Sequence, residues 1–229
     1  LGETITLLDP PVDIRLKRLA RARRLTLRIA ATDGTVHLTL PAHVPLAEAR
    51  MFVLRQEDWL RSRLARAPQP VTVALGTALP VEGRMLRLVA AAGRRVQRDE
   101  TSLALPGAAE GAGRRAETWL RTLARERLVP AADAYAARLR RAPGRITLRD
   151  TGSRWGSCTS RGDLMFSWRL AMAPPEVLDY VAAHEAAHLV EMNHSERFWA
   201  QVARICPDYA THRAWLREHG ASLHRYRFR

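Results

Sequence analysis

The stretch "VAAHEAAHLVEMNHSERFWA", Val181–Ala200, places His184, Glu185 and His188 in the pattern His-Glu-x-x-His and adds His194 six residues after the second histidine. Upstream, Pro174-Pro175 makes a good helix start, because a proline at the first helical position loses no needed N–H. From there Val177, Val181, His184 and His188 follow at spacings of 4, 3 and 4, so they form one stripe of a helix. His184 and His188 then stand one turn apart on the same face, a spacing at which two imidazoles converge on one zinc ion at about 2.0–2.1 Å. Glu185 falls beside His184, where its carboxylate reaches a water at the metal without taking a ligand position. Ala182, Ala183, Ala186 and Ala187 are small and let other segments approach the helix closely.

A catalytic zinc needs a third protein ligand and an open fourth position. Two local residues offer themselves. Glu191 lies on the same stripe one turn beyond His188, a long reach backward along the helix. His194 is better placed if the chain leaves the helix and curls back. Asn193 supplies the means, since asparagine tolerates the left-handed conformation that ends helices. Ser195 reads as the N-cap of the next helix. Glu191 is then either a partner for a ligand histidine or a solvent-facing carboxylate.

Outward from this stretch, the chain has 229 residues, a hydrophobic fraction of 47% and a charged fraction of 26%, ordinary for a soluble globular protein with a sizeable core. No apolar run reaches the length of a membrane span. The N-terminal stretch does not read as a signal peptide, because its charges follow the short apolar run. Two cysteines, Cys158 and Cys206, are too few for a secreted disulfide scaffold, so the expected location is the cytoplasm. The net charge is +14, carried almost wholly by arginine, with Lys17 the only lysine. That balance favours anionic partners: nucleic acid, nucleotides or acidic peptides.

The first half reads as short strands with one helix. Arg23–Ala30 and Thr35–Leu40 alternate around a hairpin turn at Asp33-Gly34. A helix is expected from Pro45 to about Arg66, with Phe52, Val53, Trp59, Leu60 and Leu64 on its apolar stripe. Val71–Leu75, Arg84–Ala90 and Thr101–Leu105 read as further strands. "PGAAEGAG", Pro106–Gly113, is the expected linker, dividing a β-rich region over 1–106 from a domain over 107–229. A long helix follows from Arg114 to Arg141, broken or kinked at Pro130. Ile146–Thr151 and Leu164–Leu170 read as strands around "GSRWGSCTSRGD". The last helices are expected over Pro175–Met192, Ser195–Ile205 and Asp208–His219, the final one closed by Gly220. The class is α+β.

The segment "RWGSC…DLMFSWRLAMAPPEVLDYVAAHEAAHLVEMNHSERFWAQV" resembles the YgjP-like metallopeptidase family, and "ARARRLTLRI" and "FVLRQEDWL" resemble its N-terminal part less specifically. Gly152 departs from the pattern, which has a basic or polar residue there. The resemblance implies a small zincin-type catalytic domain, a mixed sheet with the His-Glu-x-x-His helix, holding one Zn2+ per chain and acting on a peptide or protein. It implies His184, His188 and His194 as ligands and Glu185 as the catalytic residue. It also implies an edge strand in the hairpin before the helix that pairs with substrate. The catalytic helix is similar to those of SprT-like and WLM proteases, which act on DNA–protein crosslinks.

Other residues have weaker claims. Arg154, Tyr209 and His212 are candidates to stabilise developing negative charge. Trp155 and Trp168 read as core before substrate contacts, and Cys158 as a small buried residue whose thiolate has an alternative role near zinc. Phe198 and Trp199 are expected to pack behind His194. His37, His43, His219 and His224 are expected at the surface. Two rival functions remain: a metal-dependent nucleotide or phosphoanhydride hydrolase, though without the usual Gly-rich phosphate loop, and a nucleic-acid-binding protein or DNA-associated protease steered by stretches such as "RLKRLARARR".

Overall fold

The structure is a computed structural model that describes residues 3–30, 34–65 and 69–229. The chain divides into two compact units, Leu1–Gln69 and Pro70–Arg229. The first holds β1 (Thr4–Leu7), β2 (Val12–Leu19), β3 (Thr26–Ile29), β4 (Val36–Pro41), α1 (Leu46–Arg55) and α2 (Glu57–Ala65). Its sheet order is β1-β2-β4-β3, with β2 and β4 parallel and both outer pairs antiparallel. Alternation does the sorting: Ile14 and Leu16 of β2 and Val36, Leu38 and Leu40 of β4 are buried, whereas Arg15 and Lys17 between them are exposed. The basic stretch Arg15–Arg24 is therefore partly a half-buried strand. Ala49, Val53 and Leu60 of the two helices complete this core.

Three expectations change here. β1 and β2 were not apparent from the sequence. The single helix is two, interrupted at Gln56, whose φ of −103° and ψ of 13° leave the helical region. That break takes Trp59 off the buried stripe, and it is 40% exposed. The antiparallel pairing of β3 with β4 is as expected; the Asp33 end of its turn lies outside the described residues.

The second unit holds β5 (Val71–Thr72), β6 (Ala78–Val81), β7 (Arg84–Ala91), β8 (Gln97–Arg98), β9 (Ser102–Pro106), α3 (Ala112–Arg138), β10 (Ile146–Arg149), β11 (Gly156–Cys158), β12 (Leu164–Ser167), α4 (Pro175–Ala187), α5 (Glu196–Ile205), α6 (Tyr209–Leu223) and β13 (Tyr226–Arg227). Its sheets run β6-β7-β9-β8 and β10-β12-β11, with β13 pairing parallel to β5. One apolar cluster joins the strands to α3 and α4, with Trp168, Phe166 and Phe198 among its largest fully buried side chains.

The boundary expected at 106/107 falls inside this unit. Gly107 turns the chain at a φ of 94°, a short 3₁₀ turn follows at Ala109–Gly111, and α3 starts at once. A Cβ at Gly113 would lie 2.6 Å from the Val73 carbonyl oxygen and 2.7 Å from that of Phe228, so the glycine lets the start of α3 seat against β5 and the C-terminal segment. Small residues that look like a linker are here a turn and a close contact. α3 runs as one helix through Pro130. β12 stops at Ser167, where a 3₁₀ turn over Trp168–Met172 takes over. α6 continues through Gly220 to Leu223; a Cβ at 220 would meet Trp155 Cζ2 at 3.0 Å, so this glycine admits a ring instead of ending a helix. No helix among the described residues is long and apolar enough to cross a membrane.

Candidate metal centre

Pro175 occupies the first turn of α4 as expected, and Glu176 beside it suits the positive end of the helix dipole. Val177 and Val181 are buried and fix the stripe that carries His184 and His188. The helix stops five residues sooner than the sequence implies, at Ala187, with His188 as its C-cap. The last turn tightens: the Leu189 and Val190 N–H groups donate to the Ala186 and Ala187 carbonyls three residues back. The chain therefore begins to turn at His188, well before Asn193. Asn193 is not left-handed; positive φ outside glycine occurs at Leu8, Glu82 and Arg140 among the described residues. Asn193 works through its side chain instead, where Oδ1 accepts from the Ser195 N–H at 3.1 Å, an Asx-type turn. Ser195 caps α5 as expected, its Oγ accepting from the Phe198 N–H.

This turn brings His194 back to the helix. The ligand-capable atoms of His184, His188 and His194 all lie within 4.8 Å of one another, and Nε2 of His184 is 3.1 Å from Nε2 of His194. Two imidazoles sharing a tetrahedral zinc at 2.0–2.1 Å place their nitrogens about 3.3 Å apart, so the spacing suits such an ion. Among the described residues, no carboxylate or thiol belongs to this cluster.

The protonation states suit it as well. Burial, then the neighbouring His188, His194 and Arg213, push His184 down to about 3, and burial lowers His188. Both rings are neutral at physiological pH, as metal ligation requires. His188 Nδ1 lies 2.9 Å from the Glu191 carbonyl oxygen. A carbonyl only accepts, so Nδ1 carries the proton and Nε2 keeps its lone pair free. Glu191 thus does serve a cluster histidine, by its backbone and not by its carboxylate.

Phe198 is fully buried and touches all three rings, stacking on His188 at 4.4 Å between centroids and meeting His184 and His194 edge-on at 4.9 and 4.8 Å. Trp199 flanks His184 and His194 and stacks on Tyr209. One wall of the cluster is therefore aromatic and rigid, as expected of these two residues. His194 is exposed, so the cluster opens to solvent on its side.

Glu185 is 5% exposed. Burial raises its carboxyl to about 8, opposed by the nearby Arg154 guanidinium. Its neighbour is β11, the free edge of the β10-β12-β11 sheet. A Cβ at Gly156 would lie 2.4 Å from Glu185 Oε1 and 2.5 Å from its Cγ. The expected hairpin before the helix is present as β11 and β12, paired antiparallel.

The remaining candidates scatter. Trp155 stacks on His224 and packs against Gly220. Trp168 is core. Cys158 is on β11; its thiol donates to the Thr159 carbonyl and is raised to about 11 by burial, then by Glu185 and Asp163, so it stays protonated. His212 lines a separate cavity of about 530 Å³ with Tyr135, Arg138 and Asp179. His224, expected at the surface, is 4% exposed. Tyr180 escaped the sequence reading: it is buried, with Oη 3.5 Å from His184 Nδ1. Its position one turn before His184 was the available signal. Arg213, over the Trp199 ring at 4.5 Å, had no such signal.

No curated protein matches the chain, and neither does any solved structure. A family model does, the one described as YgjP-like, metallopeptidase domain, over residues 23–219. With that match spanning most of the sequence, and the histidine cluster inside it, the chain belongs to the YgjP-like metallopeptidase domain family.

Proposed function

We propose that the protein is a zinc peptidase in which His184, His188 and His194 hold the ion and Glu185 is the general base. The observation that carries this reading is the convergence of three imidazoles, with His184 and His188 kept neutral by burial, beside a buried carboxylate that is not one of the cluster. Zinc held there supplies Lewis acidity toward a peptide carbonyl and lowers the pKa of water toward neutrality.

The chain's own residues do the rest. Glu185 takes a proton from the attacking water at its carboxylate and later delivers it to the leaving amine. Burial gives Glu185 proton affinity in the range this exchange needs. The Glu191 carbonyl and Tyr180 orient His188 and His184. Phe198 fills the space behind the three rings and keeps water from that side. The free edge of β11 offers backbone groups to an extended peptide beside Glu185.

Elemental analysis of the wild type beside His194→Ala tests the ligand set; near-stoichiometric zinc is expected in the first and a large loss in the second. Glu185→Gln is expected to keep its zinc and lose peptide hydrolysis. Hydrolysis surviving that substitution would remove Glu185 from the role of base.

A further inference from the structure

The β10-β12-β11 sheet has two unlike faces. Leu148, Phe166 and Gly156 form one cross-strand row and Thr147, Met165 and Ser157 the next, and adjacent rows point to opposite faces. On the first face Phe166 is fully buried and Gly156 meets Glu185. On the second, Thr147, Met165 and Ser157 line a cleft of about 540 Å³ with Arg145, Arg149, Arg154 and Arg161.

Those four arginines are exposed. Among the described residues, none forms an ion pair with a carboxylate. Some arginines elsewhere among the described residues are paired, such as Arg169 with Asp150, Arg98 and Arg127 with Glu82, and Arg121 with Glu117. Among the described residues the one carboxylate lining the cleft is Asp163, whose Oδ1 accepts from the Arg145 backbone N–H at 2.9 Å. Four guanidiniums around a hydroxyl-lined hollow are thus open to an anion, and each can grip a carboxylate through two parallel N–H donors.

The cleft and Glu185 are separated by the thickness of one strand. Gly156 and Ser157 are consecutive residues of the edge strand; one faces Glu185 and the other lines the cleft. A peptide paired with this edge sends alternate side chains to the two faces. We propose that the cleft binds acidic side chains of the protein substrate and directs cleavage to segments rich in Asp and Glu. The substrate assignment rests on the peptidase reading above; the binding of acidic chains does not. A nucleic acid is the lesser match, because among the described residues no aromatic ring lines the cleft to stack a base.

Fluorescence anisotropy tests this with zinc-loaded full chain and three labelled probes: an extended peptide alternating Glu with neutral residues, the same peptide with Gln for Glu, and a DNA oligonucleotide of similar length. The acidic peptide is expected to bind at least about tenfold tighter than its Gln counterpart, and the double variant Arg149→Glu/Arg161→Glu to lose that margin. A second double variant, Arg149→Gln/Arg161→Gln, with a circular-dichroism melt, separates lost charge from lost folding. Equal binding of both peptides, or a margin that survives charge reversal in a folded protein, overturns the proposal. So does oligonucleotide binding tighter than the acidic peptide and lost in the same variants. Cleavage of the two peptides is followed in parallel. Failure to cleave either counts against the peptidase reading, while the binding margin still decides the cleft.

Discussion

His184 and His224 are histidines of the second unit, the first half-buried and the second buried, and burial is the main reason each is hard to protonate, pushed down to about 3 and about 4. Their surroundings differ in kind. His184 has Nε2 aimed at another imidazole nitrogen and belongs to a cluster with one exposed member. His224 lies flat on Trp155 at 5.0 Å between centroids, and its Nδ1 is buried with no hydrogen-bond partner among the described residues. Desolvation alone therefore does not mark a reaction centre. Convergence of lone pairs, with an acid beside them and an open side, does.

The largest expected effect sharpens that contrast. Removing an outer partner of a metal ligand costs about 10–100-fold in affinity, so removing a ligand costs more. His188→Ala should weaken zinc binding by more than about a hundredfold, whereas His224→Ala should leave it unchanged. Zinc titration against a competing chelator reads both. Equal losses in the two variants would erase the distinction.

Gly156→Ala addresses the acid without touching any histidine. Its Cβ would overlap Glu185, which is buried and cannot simply swing into solvent. Misplacing a general base removes about 10²–10⁴ in rate, so kcat should fall by at least about a hundredfold while zinc content holds. Unchanged kcat would mean that β11 yields to the added methyl and does not set the carboxylate's position.

How far these two environments were readable in the sequence follows from the range of the interactions that build them. The pair His184 and His188 is a helical spacing, fixed by local geometry, and Ser195 is a local capping signal; both were legible. His194 was legible as a candidate, but the means of its return was not, because the turn starts with a tightened helix end at His188 and uses an Asn193 side chain in place of a left-handed backbone. Nothing local distinguishes His224 from His219, since burial of His224 depends on Trp155, nearly seventy residues away. Gly113, Gly156 and Gly220 were unreadable for the same reason: each is small because a distant segment passes close to it. The arginine cleft is assembled from all three strands of the β10-β12-β11 sheet and the loops flanking them, and from sequence its arginines were indistinguishable from the rest of the +14 surface.

Phe198→Ala breaks the aromatic wall. Truncating a fully buried phenylalanine costs about 3–5 kcal/mol of stability, and here it also frees the rings of His184, His188 and His194. Urea denaturation of the metal-free protein should show that loss, and zinc should bind more weakly as well. Phe198→Leu, which refills most of the space, should recover the larger part of the stability and less of the metal affinity, since it cannot stack on His188.

The smallest effect concerns His224. Its folded pKa lies below that of an unfolded histidine, at about 4 against 6.5, through burial first and then Arg169, with Asp150 opposing. Below pH 6.5 the unfolded chain takes up this proton before the folded one does, so stability is present above that pH and lost as pH falls toward 4, by at most about 3 kcal/mol. His184 and His188 act in the same direction in the metal-free protein. Glu185 acts oppositely, since its raised pKa makes the folded state lose stability as pH rises from 4.5 toward 8. The difference between wild type and His224→Phe cancels these shared contributions and leaves His224 alone. The phenyl ring keeps the stack on Trp155 and adds no titrating group. Metal-free His224→Phe should therefore lose less stability than wild type between pH 6.5 and 4.5, with the two curves parallel above pH 7. Parallel curves throughout would mean that His224 meets water when protonated, and its burial would no longer stand as the counterpart of the cluster's.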